Sequence, residues 1–204
     1  EVPLLLWADG VEGVGEGVVT AEGNAELRRG DSGIAADWLR FNNEPPALTL
    51  ATNGLLVSRD DLLERLQRGQ VTGVATAVAP HGIRVVSGHP LRVPSFREGY
   101  CLLQDEASQI IPELVQADSG AYVLDLCASP GGKTLALLQQ CGRQGLVVAS
   151  DVRSKRVQLL AATLARCRAT RARVVHIPLH GPLPFDDDGF DYGLIDAPCS
   201  GLGT

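Results

Sequence analysis

Val123-Leu124-Asp125-Leu126-Cys127-Ala128-Ser129-Pro130-Gly131-Gly132-Lys133-Thr134 begins as an apolar run, turns sharply at Pro130-Gly131-Gly132 and continues through Leu135-Ala136-Leu137-Leu138 as a helix. A buried strand, a glycine-rich turn and a helix form the build that holds a nucleotide-like ligand at a helix N-terminus. Glycines let the backbone approach a ligand where a side chain would collide. Asp125, at the strand end, is placed to accept a hydrogen bond from a cationic or hydroxylic group. Gly132-Lys133-Thr134 matches the tail of a phosphate-binding Walker loop, but that loop needs a glycine where Cys127 stands. The dinucleotide fingerprint fails as well, because the only glycines here are adjacent. A phosphate-loop nucleotidase is therefore poorly supported, and a ligand loop of the same physical type with a different partner is expected.

A second strand-to-turn stretch, Phe190-Asp191-Tyr192-Gly193-Leu194-Ile195-Asp196-Ala197-Pro198-Cys199-Ser200-Gly201, delivers Asp196 and Cys199 to a strand's carboxyl end. In an open α/β sheet that edge is where ligands bind. Between the two stretches, Gly145 to Asp151 reads as the next strand. Its final acid lies about twenty positions past the glycine loop, where an acid takes the ribose hydroxyls of a nucleoside. A helix N-cap is the bland alternative for Asp151.

Taken together, Asp125 to Thr134, Gln104-Asp105-Glu106-Ala107-Ser108-Gln109 and Asp196 to Thr204 resemble the RNA cytosine-5 methyltransferases that use S-adenosylmethionine. Within that family the chain is most similar to the bacterial 16S ribosomal RNA enzymes of the Sun/Fmu type. The resemblance runs from about residue 96 to 204, is weaker over 38–94 and is absent before that. It implies an α/β fold: a Rossmann-like methyltransferase sheet preceded by a small α+β RNA-recognition-like module. It implies methylation of carbon 5 of a cytosine in RNA, in 16S ribosomal RNA by resemblance alone. It implies cofactor contacts from Asp125, Cys127, Ala128, Ser129, Pro130, Gly131, Gly132, Lys133, Asp151 and Asp196, with Cys199 and Asp196 as catalytic residues. In the family a thiolate adds at carbon 6 of the base, and a second cysteine assists release; Cys199 matches the second. The thiol that attacks belongs to a later Thr-Cys motif, beyond Thr204. The last three strands of a seven-stranded methyltransferase sheet are likewise expected beyond this chain, so the 204-residue piece is expected to lack methyl transfer. The family also places an Asp after the third strand, where this chain has Pro178-Leu179-His180 and no acid before Asp186. With the absent second cysteine motif, that gap supports an alternative reading: a non-catalytic RNA-binding or ribosome-assembly protein that keeps the fold.

Composition fits these expectations. The chain of 204 residues holds no methionine, so it is read as a fragment of a longer protein. No apolar run approaches the length that spans a bilayer, and no membrane partner is expected. Five cysteines without a C-x-x-C pair argue against a disulfide framework or a structural zinc, and favour a reducing, cytoplasmic compartment. The four histidines show no metal spacing. A net charge of −6 does not announce a nucleic-acid binder, yet residues 153–173 carry seven Lys or Arg and no acid. That segment reads as either a phosphate-tracking face or a solvated helix.

Three domains are expected. Residues 1–36, broken by Gly10, Gly13, Gly15, Gly17, Gly30 and Gly33, read as an irregular lead-in. Residues 37–94 read as the small α+β module, with a strand at 47–53, a helix capped by Ser58 and stopped by Gly69, and strands at 71–78 and 83–86. The resembled family has an Arg just before the position of Asn53, where this chain has Thr52. Residues 95–204 form the methyltransferase domain. There Asp105 caps a helix that Pro112 kinks or ends, Gln104 and Ser108 face either the ligand or the packing, and a long amphipathic helix covers 156–168.

Overall fold

The computed structural model describes residues 47–186 and 188–197, together with the backbones of five short strands between residues 4 and 35. Those strands correct the irregular lead-in. β1 (Leu4–Trp7), β4 (Glu26–Arg29) and β5 (Ser32–Ala35) form an antiparallel sheet in the order β1-β4-β5, and β2 (Gly10–Val14) pairs with β3 (Val18–Glu22). Gly10, Gly13 and Gly33 lie inside strands rather than between them. The β-branched residues beside them, Val11, Val14, Val18, Val19 and Thr20, favour the extended backbone.

Ala47–Pro198 is a separate compact unit with two sheets. The smaller sheet is antiparallel, in the order β7-β8-β6-β9, built from β6 (Thr49–Thr52), β7 (Thr72–Ala75), β8 (Gly82–Ser87) and β9 (Cys101–Leu103). Helix α1 (Arg59–Arg68) covers one face. Ser58 Oγ accepts the Asp61 N–H at 3.2 Å, as an N-cap does, and Gly69 ends the helix. Leu62 and Leu66 bury their side chains against Leu50, Ile83, Val71 and Cys101. The sheet thus takes its edge strand β9 from beyond residue 94, because β6 offers a free edge that Cys101 to Leu103 can pair with. After a four-residue helix, α2 (Pro94–Arg97), and β9, helix α3 (Glu106–Ile110) starts at Asp105, whose carboxylate accepts the Ser108 N–H at 2.9 Å. It tightens to a 3-10 turn at Ile111–Leu114, where Pro112 has no N–H to continue the helix.

The larger sheet is all parallel, in the order β12-β11-β10-β13. Its strands are β10 (Tyr122–Asp125), β11 (Leu146–Asp151), β12 (Ala172–His176) and β13 (Tyr192–Leu194). Helices α4 (Gly132–Cys141) and α5 (Ser154–Arg166) pack on it through Leu135, Leu137, Leu138, Leu160 and Leu164, over Val123 and Val147. The chain steps outward from β10 to β12, then returns to lay β13 on the other side of β10. The strand order therefore reverses between β10 and β13, and ligand crevices open at such a point.

Asn53 joins the two sheets. Its Nδ2 donates to Gly99 O at 2.8 Å and to Cys167 O at 2.9 Å, and the residue is 1% exposed. Four members of the basic run over 153–173 make contacts within the chain, while Arg168, Arg171 and Arg173 stay exposed. Arg166 donates to Phe96 O and stacks on the Phe96 ring at 4.8 Å, Arg168 lies over Tyr100, Arg171 donates to Gly145 O and Gln144 O, and Arg173 donates to Thr170 O and Ala172 O. These contacts tie the four cations to neighbouring loops and leave Arg168, Arg171 and Arg173 at the surface, so the segment keeps a solvated basic face.

Candidate functional site

The glycine turn is held by both neighbouring strands. Leu126 N–H donates to Leu194 O at 2.9 Å, Ala128 N–H to Ser150 O at 2.9 Å, and Ser150 Oγ to Leu126 O at 2.9 Å. Ser129 Oγ reaches Arg156 O at 3.1 Å, and the Ser129–Pro130 peptide is cis. Gly131 caps α4 with φ +110°, a backbone region that other residues rarely adopt. A Cβ on Gly132 would sit 2.7 Å from Gln104 Oε1. Gln104 thus packs against the loop, and its Nε2 donates to Ser108 O at 3.3 Å. The turn aims the free N–H groups of the ten-residue helix α4 at the crevice above β10.

Two buried acids border that crevice. Asp125 is 1% exposed; its Oδ2 accepts from Thr134 Oγ1 at 2.7 Å, and its Oδ1 has no hydrogen-bond partner among the described residues. Burial pushes its carboxyl up to about 6, against the Thr134 hydrogen bond and the Lys133 charge, with Asp196 adding to the rise. Asp151 is 3% exposed at the end of β11. Its Oδ1 accepts the Arg153 N–H at 2.9 Å, which is the turn-capping role; its Oδ2 has no hydrogen-bond partner among the described residues and lies 3.9 Å from Arg156 Nη1. A cleft of about 280 Å³ lies beside it, lined by Cys127, Asp151, Val152, Arg153, Arg156 and Leu179. Leu179 stands on the wall where an acid after the third strand was looked for.

Lys133 and Asp196 meet across the switch point, with Nζ 2.6 Å from Oδ2. The ion pair fastens the start of α4 to the segment after β13. Cys127 carries a thiol raised by burial and by Asp151, Asp125 and Asp196, so this cysteine is not an activated nucleophile. Cys199 lies outside the described residues. The structure thus brings Asp125, Cys127, Ala128, Ser129, Pro130, Gly131, Gly132, Lys133, Asp151 and Asp196 to one sheet edge. Sequence reasoning missed Thr134 and Ser150, which hold Asp125 and the loop. Their signal was a hydroxyl on the first turn of the helix and another beside the acid that ends β11.

Two buried carboxylate oxygens without a hydrogen-bond partner among the described residues, one of them 3.9 Å from Arg156 Nη1, lie beside a glycine-capped helix N-terminus and call for a ligand rich in hydroxyls or carrying positive charge. A nucleoside with a cationic tail, as in S-adenosylmethionine, fits this donor demand.

Residues 112–204 match the family described as 16S rRNA methyltransferase RsmB/F, and residues 33–92 match the RsmF/B-like ferredoxin-like domain. The chain is 33% identical over 167 residues to the probable ribosomal RNA small subunit methyltransferase B of Synechocystis, covering 80% of this chain and 37% of the relative. It is 34% identical over 170 residues to the ribosomal RNA small subunit methyltransferase B of Photorhabdus laumondii, covering 81% of this chain and 39% of the relative. The chain thus spans less than half the length of these relatives. Among solved structures, a methyltransferase homolog protein from Pyrococcus horikoshii superposes with a TM-score of 0.63 at 25% identity, over 68% of this chain and 46% of that one. The NSun6 protein of Pyrococcus horikoshii, solved with SFG, shares the fold at a TM-score of 0.66 and 15% identity, over 78% of this chain and 65% of that one.

Proposed function

This chain belongs to the family of the RsmB/F 16S rRNA methyltransferases, and from that premise we propose that the protein methylates carbon 5 of a cytosine in RNA, with 16S ribosomal RNA as substrate. The observation that carries the proposal is the pair of buried oxygens, Asp125 Oδ1 and Asp151 Oδ2, that have no hydrogen-bond partner among the described residues, on either side of the glycine turn. Asp151 takes the ribose hydroxyls of S-adenosylmethionine. Asp125 and the N-terminal N–H groups of α4 hold its polar tail, with Cys127 to Pro130 shaping the floor. When bound, the cofactor supplies an electrophilic methyl group on a sulfonium.

The remaining chemistry is shared between this chain's side chains and the attacking thiol of the family's later Thr-Cys motif. Lys133 holds the Asp196 carboxylate at the mouth of the crevice, where it accepts a hydrogen bond from the target base and orients it. A thiolate adding to carbon 6 makes carbon 5 nucleophilic, and a second thiol assists release once the carbon 5 proton is lost. Cys199, three positions after Asp196, takes the second role. The small ferredoxin-like sheet steadies the RNA. The cysteine usage, five thiols without a C-x-x-C pair, fits a reducing cytoplasm; among the described residues no helix is long and apolar enough to cross a bilayer.

The test uses the intact protein with labelled S-adenosylmethionine and 16S ribosomal RNA. Calorimetry should show S-adenosylhomocysteine binding that Asp151→Ala abolishes. Lys133→Met should keep that binding and lower 5-methylcytosine formation by about 100-fold, as a misplaced reacting group does. The apolar Leu179 on the cleft wall favours the second reading, a ribosome-assembly protein. Cofactor binding without turnover would establish that reading and refute the first.

A further inference from the structure

A second cavity lies between the small sheet and helix α4, reaching the back of the glycine turn at Gly132. Thr52 on β6, Gln109 on α3 and Gln139 on α4 all line it, with Leu102 and Leu135 as apolar wall. Thr52 is 2% exposed and Gln109 is 6% exposed. Three buried polar atoms, Thr52 Oγ1, Gln109 Oε1 and Gln139 Oε1, have no hydrogen-bond partner among the described residues. The Gln109 amide is fixed in orientation, because its Nε2 donates to Gln104 O at 2.8 Å. Buried polar atoms left alone are costly, and native interiors pair them with protein or with an ordered water.

The size of the void limits what it can hold. One water needs roughly 10–15 Å³, and this cavity offers about 20 Å³. A nucleotide, a metabolite or a hydrated ion is too large.

We propose that this cavity is a binding site for one structural water, which accepts a hydrogen bond from Thr52 Oγ1 and donates to Gln109 Oε1 and Gln139 Oε1. The hydrogen count closes. The hydroxyl supplies one proton, the water supplies two, and all three protein atoms are satisfied with a lone pair of the water to spare. The water then stitches β6 of the small sheet to α3 and to α4, the helix that begins at the glycine turn. Gly132, the first residue of that helix, lines the same cavity. The inference is independent of whether the crevice binds S-adenosylmethionine.

The experiment is a pair of crystal structures of the intact protein, wild type and Thr52→Val, at a resolution that shows ordered solvent. Val matches Thr in shape and removes only the hydroxyl. The expected result is a solvent peak within hydrogen-bond distance of all three atoms, lost from the variant, which folds but melts at a lower temperature. Three results each overturn the proposal: a dry cavity in the wild type, Gln109 and Gln139 turned to pair with protein atoms, or an unchanged peak in Thr52→Val. Gln109→Leu serves as a second variant if Thr52→Val fails to fold, with the same peak expected to vanish.

Discussion

Replacing Asp125 with Asn isolates the charge that the fold keeps under the glycine turn. The unfolded chain ionises this carboxyl near 3.8, and the folded chain keeps it protonated until about 6. Between those values the folded state binds more protons than the unfolded one, so stability falls as pH rises through that window. The stabilisation is fully present below pH 4 and gone above about pH 6. Each pKa unit is worth about 1.4 kcal/mol, so the wild type loses about 3 kcal/mol across the window. Asn is neutral throughout and keeps an acceptor for the Thr134 hydroxyl, but its amide N–H₂ replaces an oxygen that has no hydrogen-bond partner among the described residues. That leaves a buried donor unsatisfied, a pH-independent cost of about 1–3 kcal/mol. Asp125→Asn should therefore be less stable than wild type at pH 4 and should draw level or pass it by pH 7. Urea unfolding midpoints at pH 4, 5, 6 and 7 read the difference directly. A gap between the two proteins that stays constant with pH would refute the reasoning, because Asp125 would then ionise at an ordinary carboxylate pKa.

Asn53→Ala removes two buried hydrogen bonds and strands the Gly99 and Cys167 carbonyls, so a loss of about 3 kcal/mol is expected by urea unfolding; a loss under about 1 kcal/mol would mean that water replaces the amide without cost. Gln70 sits just past the end of α1 with φ +61°. Gln70→Gly relieves the left-handed backbone and should raise stability by about 1 kcal/mol, and a lower unfolding midpoint would show that the Gln side chain contributes more than the strain it bears.

The elements of the larger sheet were legible because each has an unambiguous local code. Val123 to Asp125 and Leu146 to Asp151 are short apolar runs ending in an acid, and Gly131 and Gly142 bracket α4. Ser58 and Asp105 announced their helices through side chains that cap orphan N–H groups, and Pro112 announced the tightening after α3. The N-terminal strands were hidden because glycine was read as punctuation, although Gly10, Gly13 and Gly33 sit within paired strands. β9 was hidden for a different reason: three residues carry almost no periodicity, and only the free edge of β6 assigns Cys101 to Leu103 to the small sheet. The fate of the arginines could not be read at all. Whether Arg166 or Arg171 faces solvent or a carbonyl depends on loops distant in sequence. The candidate site was readable as a list of residues, but the Lys133–Asp196 pair and the lone oxygens of Asp125 and Asp151 exist only once the strands are assembled.

The late arrival of β9 bears on how the protein is made. A ribosome releases the chain from its N-terminus, so β6, α1, β7 and β8 emerge as an antiparallel sheet in which β6, later an inner strand, is still an open edge. That edge closes only when Leu103 is out, and the Asn53 amide waits longer still, until Cys167 at the end of α5 appears. The small sheet is therefore assembled in two instalments, and its final locking reports that two of the four strands of the larger sheet have been synthesised. During the interval the open edge of β6 is the segment of this unit most exposed to pairing with a stray strand, and a nascent-chain chaperone would find its natural foothold there.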